Sequence, residues 1–452
     1  MKIQFLGATQ TVTGSKFFLD AEESRLMIDC GLFQGLKDLR LKNWQELPVD
    51  IKNLDAVILT HAHLDHSGYI PVLYKNGYRG PIYTTPATKE LCGILLPDSG
   101  YLQEEEAMYA NRKGFSKHKP ALPLYTENEA RRSLELFETV PQGKEFGVNQ
   151  DIKVKFTPAG HILGASCVHV VEKKTEVVFS GDIGPLHDII MKPPETIENA
   201  DYLILESTYG NRLHSDTDPM KQIEDIINRT IARGGVLLIP SFAVGRAQMV
   251  LHIISDLMNE KRIENVPVYL NSPMAINATE IFCRYVNEHR LSERQCDEMC
   301  ATAKYVRTAE ESKALNKKDG PMIIVSASGM ATGGRILHHL KAYVSDPANT
   351  VLFVGYQAAG TRGEAMISGI DRIKIHGKYY PVRAEVDSIH SLSAHADYRD
   401  IVDWVSGIKN PPKKIFLVHG EPSAQDNLRR LLEEEVNSEV VIPAYLEKAE
   451  LK

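Results

Sequence analysis

Three imidazoles and one carboxylate fall within six residues, at His61, His63, Asp65 and His66. Imidazole nitrogen and carboxylate oxygen are the ligands taken by a borderline metal such as zinc. The cluster follows Leu54–Leu59, a short apolar run that reads as a buried strand. If the segment stays extended, His61 and His63 point to one side, because side chains repeat every two residues. Asp65 and His66 serve a second ion only if the chain turns there, and Ser67-Gly68 follow at once. The bland alternative is a histidine-rich strand-to-helix loop, which leaves so dense a cluster without a reason. Hydrolytic zinc centres keep a position open for water, and paired ions sit about 3.5–4 Å apart. This motif alone cannot complete two such sites. His161, set between Gly160 and Gly164, and Asp182, in Ser180–Gly184, are natural additions, each in a short loop after a strand. One carboxylate can bridge two cations with its two oxygens, which suits Asp182. Taken alone, each stands equally as a turn residue, and Asp29, before Cys30-Gly31, reads more readily as a cap or turn.

Strands must deliver these residues. Lys2–Leu6, Ser15–Asp20 and Arg25–Asp29 read as strands ahead of the histidine cluster, and Tyr69–Tyr74 as a helix after it. Pro81–Thr85 reads as a strand, Thr88–Lys113 as a long amphipathic helix whose Glu104-Glu105-Glu106 is a solvated face, and Glu127–Val140 as a further helix. Strands return at Ile152–Thr157, Ser166–Glu172, Glu176–Ser180 and Tyr202–Glu206. From Pro219 helices alternate with the strands Val236–Pro240, Val266–Leu270, Met322–Ser326 and Thr350–Tyr356, the pattern of a parallel sheet. The last 60 or so residues, with strand Lys414–Val418 and helix Ser423–Val436, resume the earlier style. The middle block therefore reads as an insertion at a surface site of another domain.

A chain of 452 residues exceeds what one hydrophobic core commonly serves, so two domains are expected. The net charge of −7 excludes a polyelectrolyte, and nucleic-acid contact would rest on local clusters of Lys, Arg and backbone NH groups. Six scattered cysteines without a CxxC pair suggest reduced thiols in the cytoplasm; Cys296 and Cys300 share a helix face and read as packing. Met1–Gly7 reads as a strand and turn, not a signal peptide, and no apolar run reaches the ~20 residues of a membrane span.

Asp29, His61-x-His63-x-Asp65-His66, His161 and Asp182, in this order, resemble the motif set of the metallo-β-lactamase superfamily. Leu203–Gly210, Pro240–Arg246, Ser326–Met330, Ser393–Asp397 and Leu417–Glu421 resemble its β-CASP subgroup, across essentially the whole chain. The resemblance implies an α/β fold: an αββα sandwich (1–208 and 390–452) with an inserted parallel-sheet β-CASP domain (209–389). It implies two zinc ions per chain, one held by His61, His63 and His161. The other would be held by Asp65, His66 and His419, with Asp182 bridging and Asp29 orienting a ligand or the water. A metal-bridging hydroxide would then attack phosphorus, with Asp65, Glu206 and His395 catalytic and His395, paired with Glu206, as general acid. His419 resembles the RNA-processing members, so the expected activity is that of a zinc-dependent ribonuclease cutting single-stranded RNA, endonucleolytically or from the 5′ end. Ser241, Arg246, Ser326, Ser328 and Gly329 lie in strand-to-helix loops suited to phosphate, although plain Gly/Ser turns read equally well. Tyr356–Gly363 is either a substrate loop or a connection. The resemblance allows a homodimer and calls for no membrane partner. Other expectations are a hydrolase of DNA or of a small ester or lactone, and a non-catalytic RNA-binding subunit, which would lack metal ligands that here are complete.

Overall fold

The computed structural model describes residues 1–452 except Glu23, Phe115, Asp216, Tyr356, Ala358, Ala359 and His390. Residues 1–187, 192–213 and 395–452 form one compact unit; residues 188–191 and 214–394 form a second.

The first unit is built on two seven-stranded sheets. In one, the strands run in the order Lys448–Glu450, Lys2–Phe5, Phe17–Asp20, Arg25–Ile28, Ala56–Ile58, Ile82–Thr84 and Phe137–Thr139. In the other, the order is Glu439–Val441, Lys414–Val418, Tyr202–Glu206, Thr175–Phe179, Ser166–Glu172, Ile152–Pro158 and Glu145–Gly147. Alternating apolar side chains of both sheets meet in one core. Phe5 of the first sheet packs 5.2 Å from Phe416 of the second, and Phe17 lies 5.9 Å from Phe179. Helix Pro86–Lys113 packs beside the edge strand of the first sheet and helix Pro422–Glu435 on the second, completing the αββα sandwich expected. Thr85 begins the long helix by accepting a hydrogen bond from the Thr88 backbone NH.

One expectation fails here. Glu127–Val140 is not a single helix: the helix, opened by a capping box at Thr126 and Glu129, ends at Ser133. A 3₁₀ turn follows, and Phe137–Thr139 pairs in parallel with Ile82–Thr84. The helical period continues past Ser133, but the open sheet edge offers Phe137 a buried place and its backbone a ladder of hydrogen bonds. Tertiary pairing overrides local preference.

The second unit carries a six-stranded, wholly parallel sheet in the order Ala303–Tyr305, Val268–Leu270, Met322–Ser326, Val236–Pro240, Thr350–Val354 and Glu385–Ile389. Its central strands are buried along their whole length, as helices on both faces require, so they read as continuous apolar runs. An antiparallel hairpin, Arg372–Ile375 with Lys378–Pro381, leads into the edge strand Glu385–Ile389. Among the described residues no helix is long and apolar enough to cross a membrane.

Candidate metal centre

Strand direction explains why residues distant in sequence converge. Tyr202–Glu206 lies between Thr175–Phe179 and Lys414–Val418 and runs parallel to both. Their carboxyl ends therefore share one sheet edge, which brings Asp182, Glu206 and His419 together. Ile152–Pro158 runs antiparallel to a strand that is itself antiparallel to Thr175–Phe179, so its carboxyl end, leading to His161, reaches the same edge. In the facing sheet Arg25–Ile28 and Ala56–Ile58 are parallel neighbours, and Asp29 and His61 follow their carboxyl ends. The turn required after His63 is a one-turn helix, Leu64–Ser67, which carries Asp65 and His66.

His61, His63, His161 and Asp182 place potential ligand atoms within 4.8 Å of one another, and so do Asp65, His66 and His419. Asp182 faces both sets. Its Oδ2 lies 3.4 Å from His61 Nε2 and 3.5 Å from His161 Nε2; its Oδ1 lies 3.3 Å from His66 Nε2 and 3.5 Å from His419 Nδ1. Asp65 Oδ2 is 3.3 Å from His419 Nε2. The site is buried, and among the described residues His61 Nε2 and Asp182 Oδ1 have no hydrogen-bond partner. Burying polar atoms without a partner is costly, and nitrogen and oxygen donors converging in this way are what a metal ion satisfies. The residues present fit such a group.

Ring orientation is set one layer further out. His66 Nδ1 donates to Asp29 Oδ2 at 2.7 Å, which leaves Nε2 turned to the centre. Asp29 also accepts from the Thr60 backbone NH and hydroxyl, at 2.8 and 2.9 Å. With its proton given to Asp29, Thr60 Oγ1 is an acceptor for His61 Nδ1, 3.1 Å away. Thr208 does the same for His419: its hydroxyl donates to Glu206 Oε2 at 2.5 Å and lies 3.0 Å from His419 Nδ1. Both arrangements place the ring proton on Nδ1 and the lone pair on Nε2, the tautomer a ligand needs. Thr60 and Thr208 were not singled out from the sequence; the available signal is that each lies within two residues of a motif carboxylate or histidine. Asp29 and His419 hold left-handed backbone, φ 56° and 50°, an uncommon conformation for residues with a Cβ.

The protein groups alone set these protonation states. Burial holds His61 well below the ordinary imidazole range and lowers His63. Burial also disfavours charge on His66, but Asp182 and Asp29 outweigh it and raise that imidazole well above its ordinary value. Burial would raise Asp65 and Asp182; instead the neighbouring His419 and His66 bring Asp65 down to about 2, and the imidazoles of His419, His66 and His61 hold Asp182 well below the carboxylate range. The pocket is thus arranged to hold positive charge against ionised carboxylates.

Beside it, His395 Nδ1 lies 3.2 Å from Glu206 Oε1. Glu206 is fully buried and further fixed by the backbone NH groups of Ile183 at 2.6 Å and Thr208 at 3.2 Å. Burial would lower His395, but the Glu206 carboxylate overrides it and pushes the imidazole up to about 9. A backbone bridge between Tyr209 and Asp397 seats the loop that carries His395.

The five residues proposed from sequence to hold phosphate lie in the second unit. Ser241 and Ser326 end neighbouring parallel strands, and Arg246 opens helix Arg246–Asn259. All three are buried. The Ser326 hydroxyl donates to the Asn271 carbonyl at 2.9 Å, and Ser328 Oγ accepts from the Thr332 backbone NH at 3.1 Å. Gly329 packs against Phe242, where an added Cβ would lie 2.8 Å from the ring. In the Tyr356–Gly363 stretch, Tyr356, Ala358 and Ala359 lie outside the described residues.

Comparison with known proteins agrees with this geometry. The metallo-beta-lactamase superfamily profile matches residues 12–220, the Beta-Casp domain residues 247–366, and the Zn-dependent metallo-hydrolase RNA specificity domain residues 379–443. Ribonuclease TTHA0252 of Thermus thermophilus is 35% identical, over 96% of this chain and 96% of that one. Transcription termination factor FttA of Methanocaldococcus jannaschii is 31% identical, over 96% of this chain and 70% of its own length. The RNase J-like protein of the same organism is 33% identical, over 93% and 92%. A crystal structure of a protein of unknown function from Enterococcus faecalis V583 shares the fold, with a TM-score of 0.54, 14% identity and 99% coverage of both chains. Architecture, metal-binding motifs and relatives agree: the chain belongs to the metallo-β-lactamase superfamily, in its β-CASP branch.

Proposed function

We propose that this chain is a zinc-dependent ribonuclease that hydrolyses phosphodiester bonds of single-stranded RNA in the cytoplasm, with two zinc ions per chain. The observation that carries the reading is the position of Asp182, one oxygen toward His61 and His161 and the other toward His66 and His419. His61, His63 and His161 would hold one ion and Asp65, His66 and His419 the other, with Asp182 shared. Such ions, when bound, lower the pKa of water and offset charge on phosphoryl oxygens.

The remaining work falls to the chain's own residues. Asp29, Thr60 and Thr208 hold the ligand rings in one tautomer. Glu206 fixes His395 through Nδ1, so Nε2 is the nitrogen that presents a proton to the departing ribose oxygen. An alkoxide leaves poorly unless protonated, and the raised imidazole keeps that proton available at neutral pH. Asp65, whose Oδ2 lies 3.3 Å from His419 Nε2, would share an ion with that ring and with His66. The loops at Ser241, Arg246 and Ser326–Gly329 would supply amide and guanidinium donors to phosphates, with the inserted domain bounded near 209–389.

The test presents zinc-loaded protein with RNA, DNA and ester substrates of matched concentration. Cleavage of unstructured RNA is expected, with DNA and esters turned over far more slowly. Faster turnover of the ester or of DNA would replace the reading with another hydrolase, and RNA binding without any cleavage would replace it with a non-catalytic subunit.

A further inference from the structure

The hairpin of the second unit carries cations that the chemistry at the metal centre does not use. Residues 372–383 include Arg372, Lys374, Lys378 and Arg383, with Tyr379 and Tyr380 and no carboxylate, in a chain of net charge −7. Register pairs Arg372 with Pro381, Ile373 with Tyr380, Lys374 with Tyr379 and Ile375 with Lys378. Side chains alternate between the two faces, and Ile373 and Ile375 are buried in the core of their unit. Arg372, Lys374 and Tyr379 are thereby left together on the outer face, all exposed. Tyr379 is 65% exposed, with Lys374 Nζ 5.7 Å from its ring centre.

The hairpin is not a loose appendage. Arg362 Nε donates to the Lys374 carbonyl at 2.8 Å, and its Nη1 to the carbonyls of Ala331 and Thr332 at 3.2 and 3.1 Å. That fastening sets the cationic face beside the loop that begins at Ser326. The His376 ring at the hairpin tip lies 5.2 Å from that of His338. Both imidazoles are lowered, chiefly by burial; His376, Lys341 and Lys313 add to this at His338, and Lys341 and Arg362 at His376.

We propose that this face binds single-stranded RNA, with Arg372 and Lys374 on backbone phosphates and Tyr379 as the stacking platform for one unpaired base. It rests on the ribonuclease reading and adds to it a contact away from the reacting phosphate. A rigid exposed aromatic among cations favours a single strand over a duplex, whose bases are already stacked.

The test measures binding of a fluorescent oligouridylate to the full chain as salt is varied, together with cleavage kinetics. The variants are Arg372→Glu with Lys374→Glu, Tyr379→Ala, and Lys374→Arg as the charge-keeping control. All these side chains are exposed, so the fold should persist. Charge reversal is expected to weaken binding at least about tenfold at low salt and to reduce the salt slope by about 0.7 per lost phosphate contact. Tyr379→Ala should weaken binding about tenfold with the slope kept. Lys374→Arg should bind as wild type, and kcat at saturating RNA should stay unchanged throughout. Wild-type affinity and slope in the charge-reversed and Tyr379→Ala variants, while RNA is still cut, would overturn the hairpin proposal and leave the ribonuclease reading standing. RNA bound through the hairpin but never cut would do the reverse. A changed oligomeric mass with unchanged RNA affinity would assign the face to a second copy of the chain, and so overturn the proposal as well.

Discussion

A histidine serves as a metal ligand only when its lone pair faces the ion, so the residue that takes the other ring proton matters nearly as much as the ligand. Thr60 has that place behind His61, and Thr208 behind His419. Replacing Thr60 by Val keeps the shape and removes the acceptor. Metal affinity should fall about 10–100-fold, measured by competition with a chelator, while Thr60→Ser should restore it. An unaltered affinity in Thr60→Val would remove the threonine from the site. Glu206 acts on His395 in the same manner, through charge as well as geometry. A raised imidazole holds its proton to higher pH, so Glu206→Gln must lower it. The alkaline fall in kcat should therefore begin at lower pH in Glu206→Gln than in wild type; a fall at the same pH would mean that His395 is not the acid. His395→Ala should reduce kcat by about 10²–10⁴-fold with bound metal retained, and loss of metal would make His395 a ligand instead. At this scale the histidines were legible because imidazole is rare and their spacing is tight. The threonines were not, since a Thr beside a His says nothing about where its hydroxyl points until the strand ends are placed.

Elements decide which residues meet. The ligands lie beyond the carboxyl ends of strands that share a direction, and alternation and turn signals announced most of those strands. What the sequence concealed were short edge elements: Phe137–Thr139, Glu145–Gly147, Ala303–Tyr305 and Lys448–Glu450, each three residues long. Three residues show no period, and such strands exist only because a neighbour offers hydrogen bonds. Packing behind the site supplies a buried cation as well. Lys16 is 1% exposed, donates to the Gly31 carbonyl at 2.5 Å and lies 4.5 Å from the Phe33 ring centre. Gly31 sits so close behind the ligand loop that a Cβ there would fall 1.6 Å from the Asp65 carbonyl oxygen. Burial pushes Lys16 from 10.5 to about 8. Between those values the unfolded chain keeps a proton that the folded protein has released, so this group makes stability rise with pH; below about 8 the buried charge costs its full amount. Lys16→Met lacks the titration. The unfolding free energy of wild type relative to that variant should therefore rise by on the order of 3 kcal/mol across this window, followed by chemical denaturation. A difference that stays flat with pH would show that Lys16 is not buried as a cation.

At the scale of the whole molecule, a chain that leaves one unit near Leu213 and returns at His395 builds its centre from both ends, with Asp29 and His61 from the first part and His395 and His419 from the last. The change from mixed strands to regular strand–helix alternation after Pro219 marked the insertion, because a parallel sheet needs a crossover between every pair of strands. The central question is whether the residues gathered around Asp182 hydrolyse RNA with metal. The most direct measurement follows cleavage of an internally labelled unstructured RNA by zinc-loaded wild type, by chelator-stripped protein, and by Asp182→Ala, with metal content determined on each sample. Zinc-loaded wild type should cut with about two ions per chain, chelation should stop cleavage and added zinc restore it, and Asp182→Ala should stay folded, lose metal and fail to cut. Full cleavage by the stripped protein, or by Asp182→Ala free of wild-type enzyme, would contradict it.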